Sequence, residues 1–342
     1  MNEILSEIKR RCLFRLKIQS SDRLDKELDW IHDNGGAEAL FMMSDFARHL
    51  KKKGIYVGAG SKNECCSLVC YGLGISNINP TTWGLPFKLF ADAFKNEHVL
   101  YIDSSKGGVD ELGFFKEHAD YIEGVNLDTR THTAEVTFLN DNNVGNCVFV
   151  VEEYAELNLL KAFQETRTKD IRDIKLDEML LKNIHDDGFS GFSLMANLRM
   201  KPLIDEFGPD CFSDFCILFS TFGESKRALR EQIINARKTG GSLAMKNENA
   251  ARILAETYGI PLYEEQFILL EEAGIPIARE LENYPSKSVA VSVVSEAVIA
   301  TAFRYMSPET FNAAYGPQKD LERERRIDKI AAVRKKLRNS KY

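Results

Sequence analysis

Two short apolar runs constrain this chain more than anything else in it. Val99-Leu100-Tyr101-Ile102 runs straight into Asp103, and Val148-Phe149-Val150-Val151 runs into Glu152 and Glu153. Both have the length of strands, and residues Ala134 to Leu139 between them read the same way. The stretches before residue 52 and from about residue 156 to 338 carry helical spacing, so a small sheet must sit within a mostly helical chain. Carboxylates at the ends of neighbouring strands can hold Mg²⁺, because a hard cation takes several clustered oxygens. Strand-end acids are more commonly solvated, and Glu152, Glu153 and Glu156 also read as a polar helix start.

The spacing of Ile4, Leu5, Ile8, Cys12 and Leu16 predicts a helix over 2–19. A second helix begins near Ser21, a cap ahead of Leu24, Leu28 and Ile31. A third covers 37–52 and ends in Lys51-Lys52-Lys53-Gly54, a cationic last turn with a glycine stop. Ile55-Tyr56-Val57 then predicts a short strand entering Gly58-Ala59-Gly60-Ser61-Lys62. That turn precedes an apolar helical run, Ser67 to Tyr71, a context that suits amides pointed at a phosphate. No Gly-Lys-Ser/Thr follows at Walker A spacing, and a tight structural turn is the plainer reading.

A chain of 342 residues with 44% apolar content can bury a core and should form two packed subdomains. Its formal charge of −6 argues against a generally basic nucleic-acid binder, so DNA contact must come from local patches. One such patch is the segment from Lys319, where ten lysines and arginines face four aspartates and glutamates. It reads equally as a phosphate-binding tail and as a solvated terminal helix with Ile327, Ile330 and Ala331 inward.

The acidic first residues do not make a secretory leader. The longest apolar run, Val289 to Phe303, is broken by Glu296 and too short to span a bilayer, so no membrane role and a cytoplasmic location are expected. None of the seven cysteines forms a Cys-x-x-Cys pair, which argues against structural zinc and a disulfide framework and for buried thiols. The scattered histidines support neither a metalloprotease nor a catalytic triad.

Several ordered segments resemble the palm and fingers of the bacterial C-family DNA polymerases, the DNA polymerase III alpha subunits. Arg23-Leu24-Asp25-Lys26-Glu27-Leu28 resembles a helix at the start of that palm, and Val57-Gly58-Ala59-Gly60 its approach to the nucleotide loop. Ser67-Leu68-Val69-Cys70-Tyr71-Gly72-Leu73-Gly74-Ile75, Asn79-Pro80 and Leu85-Pro86-Phe87 follow in register. Pro209-Asp210-Cys211-Phe212, Thr257-Tyr258-Gly259-Ile260 through Gln266, Tyr284 to Ser288 and Pro308 to Ala314 resemble fingers segments. The resemblance covers roughly 290 residues.

It implies an α+β fold: a nucleotidyltransferase-like palm sheet with flanking helices, plus a mostly helical fingers-like subdomain. The implied divisions are 1–190, palm-like with the thumb largely deleted; 191–318, fingers-like; and 319–342, a basic helix or tail. The implied site residues are Asp103 and Glu153 for metal and catalysis. Gly58, Gly60, Ser61, Lys62, Ser67, Lys287 and Ser288 are implied for nucleotide.

The departures fall on the chemistry. Tyr101 stands where the family has a metal-holding aspartate, and Glu153 where it has its third. Ser61 replaces the loop arginine, while Lys62, Glu64 and Cys66 replace small residues; side chains there block the backbone's approach to a triphosphate, and Glu64 repels it. About fifty positions separate Asp103 from Glu153, too few for a thumb, and the basic fingers segment between Gln266 and Asn283 is missing. Losing a carboxylate from a two-metal site removes several kcal/mol of transition-state stabilisation. The expected function is therefore a catalytically degenerate relative that binds DNA or a replication protein, with no cofactor. The alternatives are a residual Mg²⁺-dependent nucleotidyltransferase and a purely structural partner protein.

Overall fold

The computed structural model describes residues 3–60, 62–106, 111–117, 122–139, 145–192, 195–196, 200–240, 247–275, 277–279 and 283–316. The basic segment from Lys319 lies outside them. The N-terminal part runs α1 (Glu3–Leu16), α2 (Asp22–Asp33), α3 (Ala37–Lys52), α4 (Leu68–Leu73), α5 (Pro80–Trp83) and α6 (Phe87–Glu97). The middle carries β1 (Val99–Ser104), α7 (Phe114–Glu117), β2 (Ile122–Asp128), β3 (Thr133–Phe138) and β4 (Asn146–Glu153). Helices α8 (Leu157–Glu165), α9 (Glu178–Asp187), α10 (Met200–Phe207), α11 (Phe212–Ser220), α12 (Arg227–Thr239), α13 (Glu248–Ile253), α14 (Glu264–Glu272) and α15 (Lys287–Met306) follow.

Local chemistry sets these bounds. Ser21 Oγ accepts from Leu24 N at the start of α2, and Ser67 Oγ from Cys70 N at the start of α4. The sheet order is β1-β4-β3-β2, with β1 and β4 parallel and the other pairs antiparallel. The fold is thus mixed α+β, with one small sheet among many helices.

The strand expected at Ile55-Tyr56-Val57 does not form. Val57 makes a single bridge to Ser104, and the ladder stops where the Asn77 side-chain amide takes the Gly58 carbonyl at 2.7 Å and Tyr56 N donates to the Ser105 hydroxyl at 3.0 Å.

The core is shared from end to end: one cluster of buried side chains runs from Leu5 to Phe311. Stacked rings tie its parts together, Phe115 on Phe149 at 4.7 Å and Phe163 on Phe303 at 4.6 Å. Helix α15 is long and apolar enough to cross a membrane, but here it is a core helix, buried along most of its length. Helices α1 and α4 approach so closely that a Cβ on Gly72 would lie 2.5 Å from Cys12 Sγ. A cavity of about 580 Å³ opens between the halves, its walls including Tyr56, Trp83, Arg172, Cys211, Phe212 and Glu296. Six of the seven cysteines are buried and Cys211 is exposed.

Candidate functional site

The parallel register of β1 and β4 fixes the carboxylates. Asp103 pairs with Glu152, and Ser104 with Glu153. Paired residues of a ladder share a face while successive ones alternate. Tyr101, Asp103 and Glu152 therefore stand on one face and Glu153 on the other. Glu153 lines a separate recess with Lys53, Ser105, Lys106, Glu111 and Lys161. The expected Asp103–Glu153 pair is not brought together; its neighbour Glu152 takes the place.

The loop that follows Val57 is packed against this strand end. Gly58 N donates to the Asp103 carbonyl at 3.0 Å, and a Cβ on Gly58 would fall 2.9 Å from Asp103 Cβ and from Leu157 Cδ1. Gly60 has φ of 104°, and a Cβ there would meet Cys65 Sγ at 2.8 Å. Lys62 sits 3.4 Å from Glu152 and 5.2 Å from the Tyr101 ring centroid. Ser61 lies outside the described residues.

Ser67, expected to touch nucleotide, is fully buried: its hydroxyl caps α4 and donates to Glu27 at 3.0 Å. Lys287 and Ser288 are also turned inward. The Lys287 ammonium pairs with Glu256 at 2.7 Å and donates to the Trp83 carbonyl. Their backbone amides donate to the buried Glu265 carboxylate, at 2.8 and 2.9 Å, and Ser286 Oγ adds a third bond at 3.0 Å. Thus Glu265 occupies the N-terminus of α15, where an external anion would otherwise be welcome.

Two further acids border Asp103. Glu64 Oε1 accepts from Tyr101 N at 2.8 Å, and Glu296 Oε1 from Ala59 N at 2.7 Å. Burial pushes each up to about 8, with Asp103 adding repulsion to both. Burial likewise holds the Tyr101 phenol above its usual value, against the pull of Lys62.

Residues 2–99 match the family described as the bacterial DNA polymerase III alpha NTPase domain. Residues 156–287 match the bacterial DNA polymerase III alpha subunit finger domain. Over these two stretches the chain is C-family polymerase alpha-like. Among curated relatives, the error-prone DNA polymerase of Cutibacterium acnes is 37% identical over 78 residues, 23% of this chain and 7% of that protein. The DNA polymerase III subunit alpha of Rickettsia prowazekii is 37% identical over 76 residues, 22% of this chain and 6% of the relative. That of Mycobacterium leprae is 36% identical over 69 residues, 20% and 6% respectively. These matches span less than a tenth of the relatives' length.

The two matched stretches of this polymerase-alpha relative flank residues 100–155, the segment that carries nearly the whole sheet and both strand-end acids. Its Asp103 face does not fit a pair of Mg²⁺ ions. A hard dication needs several anionic oxygens, whereas here a lysine ammonium neutralises Glu152, a phenol fills the next position, and Glu64 and Glu296 are bonded to backbone amides with burial favouring their neutral forms. Among the described residues, the one group of three ligand-type side chains within 4.8 Å is Asp210, Cys211 and Asp214. The Arg237 guanidinium already lies 3.0 and 3.2 Å from the two aspartates there. Neither the place of Glu265 nor the pairing of Glu152 with Asp103 is signalled in the sequence. Glu296 reads there as an interruption of an apolar run, and a carboxylate in such a run is itself the sign of a buried acid.

Proposed function

We propose that this chain is a non-catalytic relative of the polymerase core that binds DNA or a replication protein in the cytoplasm and turns over no nucleotide. In this reading residues 1–190 are palm-like with the thumb lost, 191–318 are fingers-like, and 319–342 supply a basic contact segment. The supporting observation is the Lys62–Glu152 pair over Tyr101, which puts a protein cation where two-metal chemistry would need Mg²⁺. Ser67, Lys287 and Ser288, expected to hold a triphosphate, are engaged in capping and internal pairing instead.

The test is primer extension with a labelled primer–template, in Mg²⁺ and in Mn²⁺, on wild type, Tyr101→Asp and Asp103→Ala. No extension is expected from any of them. Extension by wild type that vanishes in Asp103→Ala would place chemistry on Asp103 and overturn the reading. Binding is followed by anisotropy of the same DNA across a salt series. Sequence-independent, steeply salt-dependent binding weakened by truncation after Gln318 is expected if phosphates are read by the basic segment. Failure to bind at low salt would leave a protein partner as the function.

A further inference from the structure

We propose that the recess where α1, α3 and residues 170–172 meet is a binding site for a dianionic tetrahedral oxyanion, inorganic phosphate or the terminal phosphate of a small metabolite. Three cations from separate parts of the chain converge there. Arg15 and Arg172 both donate to the same neutral acceptor, Asn77 Oδ1, at 2.9 and 2.6 Å. Gly74, with φ of 79°, leaves room for the third: its missing Cβ would lie 2.7 Å from an Arg15 guanidinium nitrogen and 3.3 Å from Lys51 Nζ.

Lys51 Nζ itself reaches, among the described residues, only the Gly74 carbonyl, at a long 3.5 Å. Among the described residues, neither Lys51 nor Arg15 has a carboxylate within 4 Å, while Asp170 is held by the Arg172 fork. Lys161, at the edge, is matched by Glu165 at 4.0 Å. Three cations against one carboxylate leave two positive charges uncompensated when Lys51 is protonated, the form a bound anion favours.

That surplus matches a dianion and exceeds the single charge of a phosphodiester. The adjoining cavity of about 430 Å³, lined by Lys51, Lys161, Gln164 and Arg172 and also by the ion-paired Glu165 and Asp170, has room for a small phosphomonoester. The strain of the arrangement shows in Lys51. Desolvation, then Arg15 and Arg172, push its ammonium down to about 7, although the residue keeps an exposed side. An oxyanion bridging the three groups would relieve that repulsion through charge-assisted hydrogen bonds. None of these residues is among those expected to touch nucleotide, and the site does not depend on whether the chain binds DNA.

The experiment is isothermal titration of the full chain at low ionic strength with inorganic phosphate, glycerol 3-phosphate, dimethyl phosphate and a short single-stranded oligonucleotide. Saturable one-to-one binding of phosphate is expected, weakened about tenfold or more in Lys51→Met and in Arg15→Met and nearly retained in Lys51→Arg. Dimethyl phosphate, a monoanionic diester, should bind about tenfold more weakly than phosphate. Unchanged melting temperatures separate these losses from misfolding; if Arg15→Met unfolds, Lys51→Met carries the comparison alone. Absence of saturable binding, phosphate binding indifferent to Lys51→Met, or equal affinity for dimethyl phosphate would overturn the proposal. So would an oligonucleotide that binds more tightly than phosphate and loses affinity in Lys51→Met, since the site would then read a nucleic-acid backbone.

Discussion

Lys62 lies 3.4 Å from Glu152, and through that contact a loop side chain closes over the carboxylate paired with Asp103 across the β1–β4 ladder. The pair is partly exposed, so its own contribution to stability is small, about 0–1 kcal/mol. Its effect is on what else can approach. Removing the ammonium by Lys62→Ala should leave the melting temperature almost unchanged and raise the affinity for Mn²⁺, measured by the loss of free-ion signal in electron paramagnetic resonance. Adding Asp103→Asn should abolish the gain. A gain that survives Asp103→Asn would locate the ion elsewhere.

Glu64 and Glu296 make folding favour lower pH. Each has a folded-state value of about 8 against an ordinary 4.5, so the folded chain keeps protons that the unfolded chain releases. Their contribution is fully present below about 4.5, declines as pH rises towards 8, and is level above. Glu296→Gln mimics the protonated form. It should match wild type at pH 5 and exceed it by roughly 1–3 kcal/mol at pH 8.5, less than the full linkage of about 1.4 kcal/mol per pKa unit because the site relaxes. Urea melts at the two pH values measure this, and a difference that does not grow with pH would show that Glu296 ionises freely in the fold.

Glu265→Ala should be among the most damaging single changes in the helical half. It strips three hydrogen bonds from the buried start of α15, leaving two backbone amides and the Ser286 hydroxyl without their acceptor. A loss of about 3–5 kcal/mol is expected, with Glu265→Gln less severe because one carbonyl oxygen remains to accept. Equal losses in the two variants would mean that side-chain volume, and not hydrogen bonding, holds the helix start.

Gly72→Ala tests the contact between the first helix and the loop-capping helix. The new methyl would meet Cys12 at its Sγ, Cβ and Cα, at 2.5, 2.7 and 2.9 Å, so α1 must shift as a body. Overpacking of this kind costs about 1–3 kcal/mol or more. Cys12→Gly in the Gly72→Ala background should recover part of it, because two of the three clashes are with side-chain atoms. Thermal melts of the four proteins of this double-mutant cycle give the coupling directly.

Helices α1, α2 and α3 were legible because period, cap and stop agree. Ser21 caps where the apolar spacing begins, and Lys51-Lys52-Lys53-Gly54 ends where the third helix ends. The two strands with terminal acids were legible for a similar reason. Their register was not, since nothing local distinguishes Glu152 from Glu153; a one-residue slip sends a side chain to the other face. Ile55-Tyr56-Val57 has the composition of a strand, but Asn77, distant in sequence, takes the Gly58 carbonyl that a ladder would use. Lys287 and Ser288 were implied for nucleotide by the resemblance alone; their intramolecular partners, Glu256 and Glu265, are met only after the chain folds back.

The solitary exposed thiol of Cys211 makes the unmodified chain a ready optical reporter. With the other six cysteines buried, a maleimide dye attaches at one place, on the rim of the cavity that also contains Trp83. With Trp30→Phe leaving Trp83 as the single indole, quenching of that indole by the dye reports on the opening between the two halves without any engineered cysteine. Because partial desolvation of its sulfur holds the Cys211 thiol above its usual value, coupling runs faster in mildly alkaline buffer than at neutrality.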